Sequence, residues 1–199
     1  MKLGHVVYGV ILLPSRDLIK VRDLVSRLLD GTETHAYVDT GAWIRNRFNV
    51  AISRALECGA AVTSARFENA FDKDSAVALA KALKVNSSIK MLEIVKAEIG
   101  DSEVNELAEA LKTHSSLMRL FLFENHIGDL GAIALANILK ENTVIHELDL
   151  SKNNIGDEGA MALAEALDIN SRVQILKLGD NKILRHVKFR LQSNIRLEF

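Results

Sequence analysis

A 28-residue spacing governs this chain: Leu92, Leu120, Leu148 and Leu176 fall one period apart. Each opens a Leu-x-(Leu/Ile) pair, and the residues behind it repeat as well. Leu120-x-Leu122-x-x-Asn125-x-Ile127-Gly128-Asp129 returns as Leu148-x-Leu150-x-x-Asn153-x-Ile155-Gly156-Asp157, then as Leu176-x-Leu178-x-x-Asn181-x-Ile183. A weaker copy, Leu92-x-Ile94-x-x-Ala97-x-Ile99-Gly100-Asp101, precedes them. A unit this short cannot bury its apolar residues alone. Stacking neighbours into a solenoid gives the units one continuous core.

Inside each unit the apolar period changes. Leu-x-Leu alternates with period two and predicts a short buried strand. Behind it, Ile133, Leu135, Ala136, Ile138 and Leu139 fall along one helical stripe, as do Met161, Leu163, Ala164 and Leu167 in the next unit. Asp101, Asp129 and Asp157 stand where these helices begin, where an Asp can accept hydrogen bonds from unpaired backbone N–H groups and complements the positive helix end. The repeated Asn125, Asn153 and Asn181 sit where the strand turns away. An amide both donates and accepts, so a stack of them satisfies loop backbone groups. Ala97 breaks that stack, which predicts a local loosening or a compensating water. Asn170 lies outside it.

The pattern weakens toward both ends. Ala55-Leu56 matches Ala82-Leu83 at a spacing of 27, Ala65-x-Phe67 matches Leu92-x-Ile94, and Asp74–Lys84 supplies a helix with Val77, Ala80 and Leu83 inward. After Ile183 the helix motif is lost. Leu184–Ser193 predicts a shorter helix, and Leu197-x-Phe199 one last abbreviated strand. Before the array, Ser15 opens a predicted helix to about Asp30 with a stripe of Leu18, Val21, Leu24, Val25 and Leu28. Gly31–Gly41 reads as a loop and Ala42–Cys58 as a second helix. The division that follows is 1–60 as an N-terminal cap section, 61–183 as repeats, and 184–199 as a degenerate C-terminal cap, since terminal units must seal the core.

Composition narrows the function classes. The formal charge of −1 over 199 residues gives no global field for nucleic acid or an anionic membrane. The single cysteine, Cys58, rules out a disulfide within the chain and suits a reducing compartment. The apolar run Val6–Leu13 imitates a signal core, but Pro14-Ser15-Arg16-Asp17 follows instead of a small-residue cleavage pattern. That run is also too short to span a bilayer. A cytoplasmic setting is expected.

Written out in full at Leu148–Ala164, the unit resembles the ribonuclease-inhibitor-like class of leucine-rich repeats. Its signature is Leu-x-Leu-x-x-Asn-x-Ile-Gly-Asp-x-Gly-Ala-x-Ala-Leu-Ala, and the resemblance covers about Ala61–Ile183. Similar repeats occur in the ribonuclease inhibitor, NOD-like receptor sensor regions, the Ran GTPase-activating protein and tropomodulin. The resemblance implies an α/β fold: a right-handed solenoid with a curved parallel sheet on the concave side and helices on the convex side. It names no partner, because function lives in sites grafted on a fold.

No catalytic, cofactor-binding or metal-binding constellation stands out. The six histidines are scattered without ligand spacing. Gly156-Asp157-x-Gly159 is the repeat turn and lacks the lysine of a phosphate loop. Cys58 reads as an inert packing residue at a helix end. The strand periodicity does define a surface. With Leu120 and Leu122 in the core, Arg119, Phe121 and Phe123 face the other way. Met91, Glu93 and Val95, then Glu147 and Asp149, then Lys177 share that side. Phenylalanines beside Met91 and Val95, rimmed by charge, have the composition of a protein-binding hot spot. Lys182, Arg185, Lys188, Arg190 and Arg196 make the C-terminal end basic, which is ordinarily a solvated helix face.

The expected function is therefore a non-catalytic, intracellular module that binds a protein partner on its concave face. The alternatives are a regulator of a small GTPase, by similarity to the Ran activator, and an actin-filament end-binding protein, by similarity to tropomodulin.

Overall fold

Each repeat becomes one strand and one helix. The computed structural model describes residues 26–27, 29–31, 35–39, 45–69, 71–191 and 197–199. The strands are β1 (His35–Asp39), β2 (Ser64–Glu68), β3 (Met91–Val95), β4 (Arg119–Phe121), β5 (Glu147–Asp149), β6 (Ile175–Lys177) and β7 (Leu197–Glu198). Between them run α1 (Arg45–Glu57), α2 (Lys73–Val85), α3 (Asp101–Leu111), α4 (Asp129–Glu141), α5 (Asp157–Ile169) and α6 (Arg185–Leu191). The strands pair in parallel and in chain order, β1 to β7. Neighbouring strands lie ~4.8 Å apart whereas packed helices need ~8–10 Å. A stack of such units therefore curves, with the sheet on the inside.

The repeated leucines set the register. Leu92, Leu120, Leu148 and Leu176 pair side by side and are all but fully buried. With Ile99, Ile127, Ile155 and Ile183 they belong to a single core running from Ile52 to Leu197. The strand and helix expected in the weak early copy are present as β2 and α2, with Ala65 opposite Leu92 and Phe67 opposite Ile94. Of the residues placed inward by periodicity, Val77 is only partly covered and Met161 is exposed; Leu79 and Leu163 take the buried positions.

One element contradicts the sequence reading. Gly31–Gly41 is not simply a loop, because His35–Asp39 forms β1 and pairs with β2, Ala36 opposite Ala65 and Val38 opposite Phe67. Without it β2 would present a row of unpaired N–H and C=O groups at the sheet edge. The expected first helix, with Leu18, Val21, Leu24, Val25 and Leu28, lies outside the described residues except at its end, where 26–27 and 29–30 are helical.

Three polar ladders tie the units together. In the first, Asn153 Nδ2 donates to Leu122 O of the preceding unit (2.9 Å) and to Leu150 O of its own (3.0 Å), while its Oδ1 accepts from Ile127 N (3.0 Å). Asn181 repeats this arrangement, and Asn125 does so with its Oδ1 accepting from Ala97 N (2.9 Å) as well as from Ile99 N (3.4 Å). The residue just before each, Glu124, Lys152 or Asp180, takes a left-handed φ of 55–56°. At Ala97 the amide is missing. Lys96 and Glu98 both turn left-handed, and Phe71 N donates to Ala97 O (3.1 Å).

The second ladder runs along the helix ends and was invisible as a repeat. Asn86, Asn142 and Asn170 are buried at the ends of α2, α4 and α5, and His114 stands at the same step after α3. Asn142 Nδ2 donates to Leu111 O (2.9 Å), and its Oδ1 accepts from Val144 N (2.8 Å) and Ile145 N (3.0 Å). Asn170, which the sequence reading left outside any ladder, donates to Leu139 O and Asn142 O and accepts from Arg172 N.

The third ladder identifies whose N–H groups the repeated Asp accepts from. Gly100, Gly128 and Gly156 occupy the N-cap positions, and each Asp is the first helical residue. Asp101 Oδ1 instead accepts from Gly128 N (2.7 Å) and Gly131 N (2.9 Å) of the next unit, and Asp129 does the same for Gly156 and Gly159. A carboxylate can satisfy a neighbouring helix start just as it can its own. The close approach explains the second glycine of the motif. A Cβ on Gly159 would sit 2.7 Å from Asp129 Oδ1 and 2.9 Å from Ala132 Cβ.

Candidate functional site

The alternation that buries the leucines lays the remaining strand residues out in rows on the concave face. One row runs Ser64, Met91, Arg119, Glu147, Ile175, each the paired partner of the next. The other runs Arg66, Glu93, Phe121, Asp149, Lys177, Glu198. Of the nine residues expected to form a site, Met91, Glu93, Arg119, Phe121, Glu147, Asp149 and Lys177 occupy these two rows. Phe123 lies beyond the paired part of β4, at the strand exit.

Phe121 and Phe123 are partly exposed, whereas Leu120 and Leu122 on the opposite side are 1% exposed. Neither phenylalanine belongs to the core or to the side chains packed against it. Val95 departs from expectation. It is fully buried, although it too lies outside the core cluster, so it cannot contribute to an accessible patch. It pairs with Glu68 on one side, and Lys96 N beyond it reaches Phe123 O on the other. Curvature draws side chains of adjacent strands together on the concave face, and the shorter valine is covered.

The charges on this face largely satisfy one another. Arg66 bonds Glu68 (Nη2 to Oε2, 3.0 Å) and Glu93 (Nη1 to Oε2, 2.5 Å), and Lys96 lies 3.5 Å from Glu68. Partial burial works against the Arg66 charge, but the two carboxylates outweigh it and raise its pKa. Glu147 is 3.6 Å from Lys177, and Asp149 accepts from Ser151 N (2.9 Å). Arg119 is exposed and makes no ion pair among the described residues. The face thus offers one uncommitted cation beside two partly exposed aromatics, within a field of paired charges.

At the C-terminal end of the strands, Glu68, Lys96, Glu124, Lys152 and Asp180 alternate in sign from unit to unit. Lys152 bonds Glu124 at 2.8 Å, and that bond lowers the Glu124 pKa and raises that of Lys152. The signal of this alternation is the same 28-residue spacing.

Cys58, expected to pack inward, is exposed just past α1. Among the described residues no cluster of His, Cys, Asp or Glu could hold a metal ion. Lys182 and Arg185 of the basic end are exposed, and Lys188 lies over the Phe199 ring at 5.7 Å. The Arg190 side chain and Arg196 lie outside the described residues. No described helix is long and apolar enough to cross a membrane.

Repeat spacing, a parallel sheet in chain order and an amide at three successive strand exits together define a leucine-rich-repeat fold like that of the ribonuclease-inhibitor-like class. The leucine rich repeat family model matches residues 113–136 and 141–164. No curated protein sequence matches the chain. Among solved structures it is similar to leiomodin-1 actin-binding site 2, with a TM-score of 0.61 and 20% identity, over 77% of this chain and 90% of that one. It is also similar to the tropomodulin C-terminal domain of Caenorhabditis elegans, with a TM-score of 0.56 and 18% identity, over 87% of this chain and 89% of that one. At such identities the likeness is one of fold.

Proposed function

We propose that this protein is a non-catalytic interaction module of the cytoplasm. Its repeats at 61–183, flanked by capping sections at 1–60 and 184–199, would recognise a protein partner on the concave face. The observation that carries this reading is the position of Phe121 and Phe123: partly exposed, outside the core, and beside the unpaired Arg119. Aromatic and arginine side chains are the residues over-represented at binding hot spots. The committed charges around them, Glu93, Glu147, Asp149 and Lys177, set register more than affinity. Met91 extends the apolar surface on β3. Because the sheet is already ordered, binding costs little conformational entropy.

A Phe121→Ala/Phe123→Ala double variant tests this on one preparation. Unchanged circular dichroism with loss of partner capture supports the reading. Retained capture moves the site elsewhere, and an unfolded variant makes the phenylalanines packing residues. A second reading, actin binding, is favoured by the structural likeness to leiomodin-1 actin-binding site 2. Its test is direct: actin co-sedimentation and pyrene-actin elongation, with wild-type and double variant in parallel. No effect on either assay at micromolar protein removes that reading and leaves the concave face to another partner.

A further inference from the structure

The helix-end ladder contains one rung of different chemistry. Asn86, Asn142 and Asn170 each present an amide whose oxygen accepts backbone N–H bonds from the following turn and whose nitrogen donates to the preceding unit. At the equivalent step, 28 residues from both Asn86 and Asn142, the chain has His114. It is only 4% exposed. Its Nδ1 accepts from Leu117 N (3.2 Å) and Ser116 N (3.4 Å), as an asparagine oxygen would. Its Nε2 is buried and completes no hydrogen bond, and the Asn86 backbone lies close enough to the ring to act on its charge. In the next rung Asn142 Nδ2 reaches His114 O (3.4 Å).

Only one form of histidine fits these partners: neutral, with the proton on Nε2. An amide serves its rung at any ordinary pH, whereas an imidazole does so only while Nδ1 is bare. From this geometry we infer that His114 is an acid-sensitive joint, at which protonation of Nδ1 uncouples the α3 unit from the units on either side. The added proton would point at two N–H donors and place a charge in a buried slot. Among the described residues no charged side chain makes an ion pair with it. The slot lies among the turns after α2, α3 and α4, with Asn86, Ser116, Leu117 and Asn142 as its neighbours in space. The charged residues of those segments, Lys84, Lys90, Lys112 and Glu141, are exposed, and Lys112 pairs with Glu141 at 3.3 Å. Burial lowers the His114 pKa, with the Asn86 carbonyl opposing it.

The sign follows from that direction. A histidine whose folded pKa lies below its unfolded value of about 6.5 contributes fully above that pH. Its contribution drains away as pH falls from there toward the folded value. The joint lies between β3 and β4, so it acts on the strands that carry Met91, Glu93, Arg119 and Phe121. The inference stands on the ladder alone and does not depend on what binds there.

The test compares urea midpoints of wild type and His114→Asn at about pH 7.5 and about pH 5.5, a window that brackets an unperturbed histidine. His126→Asn, at an exposed histidine, serves as control. The expected result is a drop in midpoint for wild type and control and a clearly smaller drop for His114→Asn. An equal drop in all three overturns the inference. On wild type alone, imidazole NMR should report the Nε2–H tautomer at the higher pH. The protection of the Ser116 and Leu117 amides, taken relative to the slower intrinsic exchange at the lower pH, should fall at least tenfold there. A His114 that carries its proton on Nδ1, or that titrates above its ordinary value, refutes the inference even if the variant does not fold.

Discussion

Helices α3 and α5 begin on the same Gly-Asp step, yet their first turns are closed from different directions. In α5 the carboxylate comes from the preceding unit: Asp129 accepts from Gly156 N and Gly159 N. In α3 it comes from within, because Glu103 Oε2 accepts from Gly100 N (3.0 Å). The two solutions are linked by the sequence. Where α5 has Gly159, leaving room for the incoming Asp, α3 has Glu103; where the preceding unit supplies Asp129 to α5, the unit before α3 has Lys73. Lys73 adds a favourable charge for Glu103, and although partial burial opposes ionisation, the Ser102 and Gly100 hydrogen bonds outweigh it and lower the Glu103 pKa. The joint keeps its attraction with the polarity reversed. A cap drawn from a neighbour couples two units, whereas a cap drawn from the same helix protects one. The later repeats should therefore fail together and the earlier ones separately.

The largest expected effect comes from the core of the coupled half. Leu148→Ala or Leu150→Ala should cost about 2–5 kcal/mol, the range for emptying a packed site, since both are at most 1% exposed. Urea melts should show the loss, and hydrogen exchange should show it on both sides of β5. A lesion confined to one unit would break the comparison. Next come the amide rungs. Asn153→Ala and Asn170→Ala should each cost about 1–3 kcal/mol, the penalty for stranding buried polar groups. A mild Asn170→Ala would mean that the helix-end ladder is decorative. The caps give the sharpest contrast at smaller cost. Asp129→Ala and Glu103→Ala should each lose about 0.5–2 kcal/mol, but only the first should speed amide exchange in α5 as well as in α4. Identical footprints would erase the distinction drawn here. Smallest for stability is Phe121→Ala/Phe123→Ala, whose signature is lost binding with little change in melting.

The leucine spacing made the strands, the helices and their order legible, because burial on a period of 28 leaves few other arrangements. Polar repeats were legible only in part. The strand-exit asparagines announced themselves through neighbouring leucines, but Asn86, Asn142 and Asn170 were hidden by His114 in their midst. The role of Asp129 could not be read locally, since its partners lie 27 and 30 residues away. β1 was missed because Gly31 and Gly41 bracket it and its offset from β2 is 29, outside the common period. For the concave face, alternation placed Phe121 and Phe123 correctly. It could not foresee that Val95 would be covered, which depends on side chains brought near by curvature.

The sign alternation along the strand exits, Glu68, Lys96, Glu124, Lys152 and Asp180, gives the molecule a parity. Its spatial neighbours are always opposite, with Glu68 and Lys96 3.5 Å apart and Glu124 and Lys152 2.8 Å apart. Excising one repeat would set Lys96 against Lys152, or Glu124 against Asp180, and like charges on adjacent strands repel. Excising two would restore the alternation. In this stretch of the chain the electrostatic unit is therefore twice the structural one, and shortening or lengthening the array is smoothest in steps of two repeats.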